Sequence, residues 1–256
     1  MRDRKGMARV LAAGLMAALL VAACGGSADD PSARRELLVS AAASLTEAFL
    51  EIETEFEAAT PGVDVILNLG GSSLLREQIL SGAPVEVFAP ADPDMMQQVR
   101  DAGYLDGPYR VFARNRMAIA VPGGNPAGVR GLDDLADERL LVGLCAEMVP
   151  CGAFARRVLA KAGIRPVVDT EEPNVRALLT KVEAGELDVA VVYATDIGTS
   201  DGVDGIAIAD DYNVVAEYPI AVVAGSPDPT GAEAFVAFVL STGGRRVLDR
   251  HGFSLP

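Results

Sequence analysis

Short apolar runs of strand length alternate with segments of helical periodicity along most of the chain. The run at 36–42 (ELLVSAA) is followed by Leu45, Phe49, Ile52 and Phe56, which fall on one helical face. Further strands are predicted at 63–69, 85–88, 117–121, 140–144, 187–193 and 216–223. Further helices are predicted at 73–80, 92–102, 152–162, 174–184, 230–240 and 243–251. This alternation predicts an α/β protein with mostly parallel sheets flanked by helices.

Ligands of such sheets bind beyond the carboxyl ends of the strands, so the junctions between strands and helices are the places to look for function. At the first junction, three alanines precede Ser44, and Ser44-x-x-Glu47 has the pattern of a capping box. Ser44 either caps the helix and does nothing more, or also donates its hydroxyl proton to a ligand.

The second junction combines two glycines with the serines Ser72 and Ser73 at the start of a helix. Glycines permit close approach of a ligand to the backbone, and the first turn of a helix leaves N–H groups free. The alternative is a glycine-rich turn with a serine cap.

Three later junctions supply further neutral donors. Cys151 and Gly152 lie at a helix start, Asn174 is a predicted cap that leaves the Val175 amide free, and Tyr193 ends a buried strand. Tyr193 has the alternative of being a core tyrosine. Hydroxyls and helix N-termini without a cationic side chain suit a fully ionised anion.

The N-terminus has the pattern of a signal peptide. Basic residues at positions 2, 4, 5 and 9 precede an apolar run at 10–23, which is too short for a membrane span. Small residues precede Cys24, as in the bacterial lipobox, so we expect lipidation of Cys24 and a membrane anchor; the alternative is an ordinary cleaved signal. Residues 25–34 are rich in Gly, Ser, Asp, Pro and Ala and are predicted to form a flexible tether.

Two further cysteines, Cys145 and Cys151, lie close in sequence. In an exported protein such a pair predicts a disulfide, with two free thiols as the alternative. A metal centre is not expected, because His251 is the only histidine and lies far along the chain.

Charge and residue types exclude other functions. A net charge of −14 offers no basic surface for nucleic acid. An enzyme is not expected either, because the sequence has no histidine beside a nucleophile and no phosphate-binding loop of the Walker type.

The chain resembles the periplasmic molybdate-binding proteins of ABC importers from about Leu37 to Phe253. The segments that carry the resemblance follow in family order: AAASLTEAF, GVDV, GSSLLREQI, SGAPVEVFAPAD, VPCG, NVRALL, VVYATD, EYPIAVV and HGF. The combination of AAASL with GAPxxxFxxAD is specific to that family.

The resemblance implies a two-lobed, type II periplasmic-binding-protein fold with the anion in the cleft between the lobes. Together with the N-terminal pattern, the resemblance divides the chain into a signal peptide at 1–23, a tether at 24–35, a first lobe at 36–114 plus 218–256, and a second lobe at 115–217. The protein is then expected to be a monomer without cofactor on the outer face of the cell membrane, on its periplasmic or cell-wall side. It would deliver molybdate, and also tungstate, to an ABC permease.

The resemblance also implies the contacts to the anion. Ser44 and Ser72 would donate through hydroxyl and backbone N–H, Cys151 and Val175 through backbone N–H, and Tyr193 through its hydroxyl. Two departures from the family pattern matter. Cys151 replaces a frequent alanine, and Gly70-Gly71 replaces bulkier residues, which leaves Ser73 as the alternative to Ser72. Another tetrahedral oxyanion such as sulfate is the alternative ligand.

Overall fold

The computed structural model of the protein describes residues 34–256. The predicted signal peptide, Cys24 and nearly all of the predicted tether lie outside the described residues. Arg35, assigned to the tether, is the first residue of β1. None of the described helices is long and apolar enough to cross a membrane.

The strands are β1 (Arg35–Ala42), β2 (Val63–Gly70), β3 (Val87–Ala89), β4 (Arg110–Pro122), β5 (Val142–Cys145), β6 (Thr170–Glu172), β7 (Val189–Tyr193), β8 (Val203–Ala207) and β9 (Val215–Val222). The helices are α1 (Thr46–Ala59), α2 (Ser72–Leu80), α3 (Pro93–Asp101), α4 (Pro150–Ala162), α5 (Val175–Glu183), α6 (Ala194–Ile197), α7 (Pro229–Leu240) and α8 (Thr242–Arg250). Short 3₁₀ turns occupy Ala43–Leu45 and Leu132–Ala136.

The strands follow the order β2-β1-β3-β9-β4-β7-β5-β6, and β8 pairs with β4. β1 runs parallel to β2 and β3, and β5 runs parallel to β6 and β7. We refer to these two parallel groups, with their helices, as lobe 1 and lobe 2. Lobe 1 contains β1–β3, α1–α3, α7 and α8, and lobe 2 contains β5–β8 and α4–α6. The antiparallel strands β4 and β9 join them.

The apolar periodicity produces the elements that it predicts. Phe49, Ile52 and Phe56 of α1 are buried against the sheet, and all residues of β7 are buried. The Phe49 ring lies 5.9 Å from Phe112 of β4 and 6.2 Å from Phe235 of α7, measured between centroids. Each such side chain contributes roughly 1.5–3 kcal/mol by burial, so these contacts fix the helices on lobe 1.

Some elements differ from the prediction for identifiable reasons. β4 begins seven residues before the predicted Met117, because its first half pairs with β9 and its second half with β7 and β8. β6 and β8 were missed because neither is a continuous apolar run. β6 consists only of Thr-Glu-Glu, and β8 contains an exposed Asp-Gly pair. α4 begins at Pro150, two residues earlier than predicted, since proline fits the first turn of a helix.

Candidate functional site

A small cavity lies between the lobes, at the carboxyl ends of β1, β2 and β7. Its volume is about 20 Å³, and one water molecule needs roughly 10–15 Å³ of such a volume. Its lining contains no charged side chain and includes all five predicted contact residues: Ala42, Ala43, Ser44, Gly70, Gly71, Ser72 and Ala91 from lobe 1, and Val149, Pro150, Cys151, Asn174, Val175 and Tyr193 from lobe 2. The chain thus brings the predicted residues together from separate junctions.

Ser44 lies in the 3₁₀ turn that links β1 to α1, and the predicted capping box is wrong. The turn has no side-chain cap, and α1 begins after Leu45. Instead, the Ser44 hydroxyl oxygen lies 3.0 Å from the Tyr218 hydroxyl oxygen. The Glu47 carboxylate pairs with Arg176 of lobe 2 at 2.7 Å. Long-range partners therefore replace the local pair.

Ser72 and Ser73 have different partners at the start of α2. The Ser72 hydroxyl accepts a hydrogen bond from the Ala91 backbone N–H at 3.1 Å, and Ser72 lines the cavity. The Ser73 hydroxyl donates to the Met148 carbonyl of lobe 2 at 2.5 Å and does not line the cavity. This geometry favours Ser72 over Ser73 as the ligand contact.

At Gly71 the backbones of the two lobes come close together beside the cavity. A Cβ atom added there would lie 2.6 Å from the Pro173 carbonyl oxygen of lobe 2. No side chain fits at such a distance, so glycine permits this approach of the lobes.

Cys151 lies in the first turn of α4, whose N–H groups have no partner within the helix. The structure holds Cys145 and Cys151 as buried free thiols, so the predicted disulfide is not formed in it. The Cys151 thiol donates to the Val191 carbonyl at 3.7 Å. Burial and a hydrogen bond with Cys145 raise the pKa of Cys151 well above its usual value.

Val175 is the first residue of α5, and Asn174 caps the helix as predicted. The Asn174 side-chain oxygen accepts from the Ala177 N–H at 2.9 Å. The Val175 amide is one of the N–H groups left over at this helix start.

The Tyr193 hydroxyl is buried and has no hydrogen-bond partner among the described residues. Burial raises the pKa of Tyr193 well above its usual value, so the hydroxyl keeps its proton. The ring packs edge-on against Phe154 and Tyr218, with centroids 6.4 and 5.9 Å away. An unpaired buried hydroxyl is costly, and Tyr193 lines the cavity.

Asp196 follows Tyr193 in sequence but does not line the cavity. Its carboxylate accepts from the Tyr193 backbone N–H at 3.1 Å. Burial raises the pKa of Asp196 to about 8. The carboxyl is therefore largely protonated at neutral pH and adds little negative charge near the cavity.

Tyr218 and Ala91 were missed as site residues by the sequence analysis. Tyr218 belongs to EYPIAVV and Ala91 to GAPVEVFAPAD, which were used only for the resemblance. Their part in the site depends on contacts with Ser44 and Ser72 that no local pattern encodes. Within residues 34–256, no group of three or more His, Cys, Asp or Glu residues is placed to hold a metal ion.

Comparison with known proteins identifies the family. The family described as bacterial extracellular solute-binding protein matches residues 37–254. The molybdate-binding protein ModA of Mycobacterium tuberculosis is 39% identical, over 96% of this chain and 98% of the relative. The molybdate-binding protein ModA of Escherichia coli is 32% identical, over 93% and 95% respectively.

The chain belongs to the ModA family of bacterial extracellular solute-binding proteins. Members of this family bind a transported solute and are not enzymes.

Solved structures of solute-binding proteins share the fold. The substrate-binding domain of a molybdenum ABC transporter from Clostridium difficile is 25% identical, with a TM-score of 0.66 over 86% of this chain and 99% of that chain. The molybdate-binding protein of Azotobacter vinelandii has a TM-score of 0.73 at 17% identity, with the same coverage. The sulfate-binding protein SubI of M. tuberculosis has a TM-score of 0.78 at 18% identity, over 87% of each chain. The last two show the fold alone, and the predicted type II periplasmic-binding-protein fold is confirmed.

Proposed function

We propose that this solute-binding protein captures molybdate in the cavity between its lobes and delivers it to an ABC permease. The observation that carries the proposal is the buried hydroxyl of Tyr193, which has no partner among the described residues and belongs to a side chain that lines the same cavity as Ser44 and Ser72. A tetrahedral oxyanion in the cavity would accept from these hydroxyls and from the amides of Cys151 and Val175.

The electrostatics of the cavity favour a fully ionised anion. Its polar groups are hydroxyls and the free amides of helix N-termini, where the backbone dipoles favour negative charge. A doubly negative anion can be held in this way without a cationic side chain. Tyr193 and Asp196 are protonated and therefore uncharged, so neither side chain repels a negatively charged ligand.

The size of the cavity favours an inorganic solute. A volume of about 20 Å³ has no room for an extended organic molecule. Molybdate and tungstate have the same charge and nearly the same size, so we propose that tungstate binds as well. Sulfate has shorter bonds and would leave some donors at poor distance, and each unsatisfied buried donor costs about 1–3 kcal/mol.

Contacts from both lobes support a closing mechanism. An anion that touches Ser44 and Ser72 on one lobe and Cys151, Val175 and Tyr193 on the other stabilises the closed state over an open one. Closure would then form the surface that the permease recognises.

The protein's place in the cell belongs to the same proposal. We propose export by the signal peptide at 1–23, lipidation of Cys24, and attachment to the outer face of the membrane through the tether. A monomer with one cavity is sufficient for this function, because the described residues complete the cavity within a single chain.

Calorimetric titration of the anion-free protein with molybdate, tungstate, sulfate and phosphate tests the proposal. We expect tight binding of the first two only. Ser44→Ala should abolish tight molybdate binding, whereas Ser254→Ala, an exposed serine on the carboxyl-terminal segment, should leave it unchanged. Sulfate binding as tight as that of molybdate would contradict the assignment.

A further inference from the structure

Ser44 and Ser72 share a feature that their positions in the chain do not explain. Each hydroxyl has a hydrogen-bond partner within the protein. For Ser72 this partner is the Ala91 N–H, at 3.1 Å. A backbone N–H can only donate, so the Ser72 oxygen is the acceptor and its own proton is free for the cavity.

The partner of Ser44 is the Tyr218 hydroxyl, and in that pair either oxygen could donate. The neighbouring Asn115 decides the direction. Its side-chain oxygen accepts from the Arg116 N–H at 2.9 Å, which fixes the amide nitrogen on the opposite side. That nitrogen donates to the Thr195 hydroxyl at 2.8 Å and lies 3.5 Å from the Tyr218 hydroxyl oxygen.

The Asn115 nitrogen has only protons to offer, so the Tyr218 oxygen faces a donor there and turns its proton to Ser44. Burial raises the pKa of Tyr218 above its usual value, which keeps this proton in place. Tyr218 itself is fully buried, and Asn115 and Thr195 are also buried. Water therefore does not compete for these hydrogen bonds.

We infer that Tyr218 is a positioning residue of the anion site, which makes Ser44 a donor toward the cavity and thereby selects against protonated anions. The inference rests on the proposed function. Tyr218 does not line the cavity and acts through Ser44. Because the Ser44 and Ser72 oxygens each accept from a donor of the protein, each hydroxyl is free to donate its proton to a ligand and keeps only one lone pair with which to accept.

The consequence for selectivity is specific. Molybdate and sulfate are fully ionised near neutral pH and need donors only. Phosphate carries at least one proton there, and this proton needs an acceptor in the site. A site whose serine hydroxyls are both set to donate into the cavity offers that proton only a poor acceptor, which costs binding affinity.

The test is Tyr218→Phe, which removes the hydroxyl and keeps the ring that packs on Tyr193, Phe112 and Phe253. Tyr212→Phe is the matched control, because Tyr212 is 43% exposed. Calorimetry with molybdate, sulfate and phosphate gives the dissociation constants, and thermal melting checks folding. We expect Tyr218→Phe to weaken molybdate and sulfate binding about three- to tenfold, with phosphate binding equal to or tighter than in the unsubstituted protein.

Unchanged molybdate affinity would overturn the inference. Equal weakening of the binding of all three anions would also overturn it, because a general packing defect would affect the three alike. A second measurement needs no ligand: hydroxyl proton exchange of Tyr218, followed by NMR. Exchange should be slow, should speed up in Ser44→Ala and should stay slow in Ser72→Ala. If the unsubstituted protein binds none of the anions, the proposed function fails, and the exchange measurement alone decides whether Tyr218 donates to Ser44.

Discussion

The Arg176 guanidinium of lobe 2 lies 2.7 Å from the Glu47 carboxylate of lobe 1, next to the cavity. Arg176 follows the site residue Val175, and Glu47 lies three positions after Ser44. The ion pair therefore joins the two lobes close to the residues that are proposed to hold the ligand.

Loss of this pair should weaken ligand binding. Both side chains are about one-third exposed, and solvent screening limits the pair to roughly 0.5–1 kcal/mol. We expect Glu47→Gln to raise the dissociation constant for molybdate about two- to fivefold, with a smaller effect at high salt. The control is Asp210→Asn, which removes an exposed ion pair with Arg116. A molybdate affinity unaffected by Glu47→Gln at low salt would show that the pair does not stabilise closure.

Gly71 should not tolerate a side chain, because the side chain would collide with the opposite lobe. Backbone strain is not the cause. Its φ of −64° is open to any residue, but an added Cβ would lie 2.6 Å from the Pro173 carbonyl of the opposite lobe. We expect Gly71→Ala to weaken molybdate binding at least about tenfold, while the melting temperature of the ligand-free protein changes little. Gly131→Ala, where a Cβ meets nothing within 4 Å, is the control. Equal affinities of the two variants would contradict this account.

Substitution should show which of the two serines at the start of α2 contacts the ligand. Ser72→Ala removes a cavity hydroxyl and leaves the Ala91 N–H unpaired, so we expect molybdate binding to weaken about ten- to a hundredfold. Ser73→Ala removes the hydroxyl that bonds the Met148 carbonyl and the Met95 sulfur, outside the cavity lining, and should weaken molybdate binding about fivefold or less. The reverse order in calorimetry would assign the contact to Ser73.

The cysteines can be tested chemically. Cys145 is one of the groups that raise the pKa of the Cys151 thiol, so the two thiols are neighbours and an oxidant should join them, although the structure has them free. We expect protein isolated from an oxidising compartment to be lighter by the mass of two hydrogen atoms and to resist alkylation after denaturation. Cys151→Ala should bind molybdate within about threefold of the unsubstituted protein, since only the amide is a proposed contact. Alkylation of both thiols in denatured, unreduced protein would rule out the predicted disulfide.

Asp196 should make stability depend on pH. Its pKa is about 8 in the folded protein, because burial disfavours the charged carboxylate, against a usual value of 3.8. The folded state therefore holds a proton that the unfolded chain loses, and the free energy of unfolding declines as pH rises from about 4 to about 8. The slope reaches at most about 1.4 kcal/mol per pH unit.

Asp196→Asn keeps an oxygen to accept from the Tyr193 N–H and cannot ionise. We expect its melting temperature to exceed that of the unsubstituted protein at pH 8 and the difference to shrink toward pH 4. Arg176 lowers and Glu47 raises the pKa of this carboxyl, so Glu47→Gln should shift the transition to lower pH. A constant difference between pH 4 and pH 8 would show that Asp196 does not titrate in this range.

The sequence by itself determined most of the elements and named the residues that line the cavity. Apolar periodicity predicted α1 and β7, and the cap at Asn174 was correctly predicted, because both signals depend on residues within one or two helical turns. Ligand sites of parallel sheets lie at strand-to-helix junctions, which made Ser44, Ser72, Cys151, Val175 and Tyr193 candidates, and the family resemblance brought these five together without coordinates.

Only the tertiary structure decided how these groups are used. The partner of Ser44 is 174 residues away in the chain, and Ser72 differs from Ser73 only in what each faces across the fold. The pairing of Glu47 with Arg176 instead of Ser44 follows from the approach of the lobes. Whether a hydroxyl donates or accepts depends on the groups that surround it in space. Those neighbours are set by the packing of the whole chain and not by the local sequence.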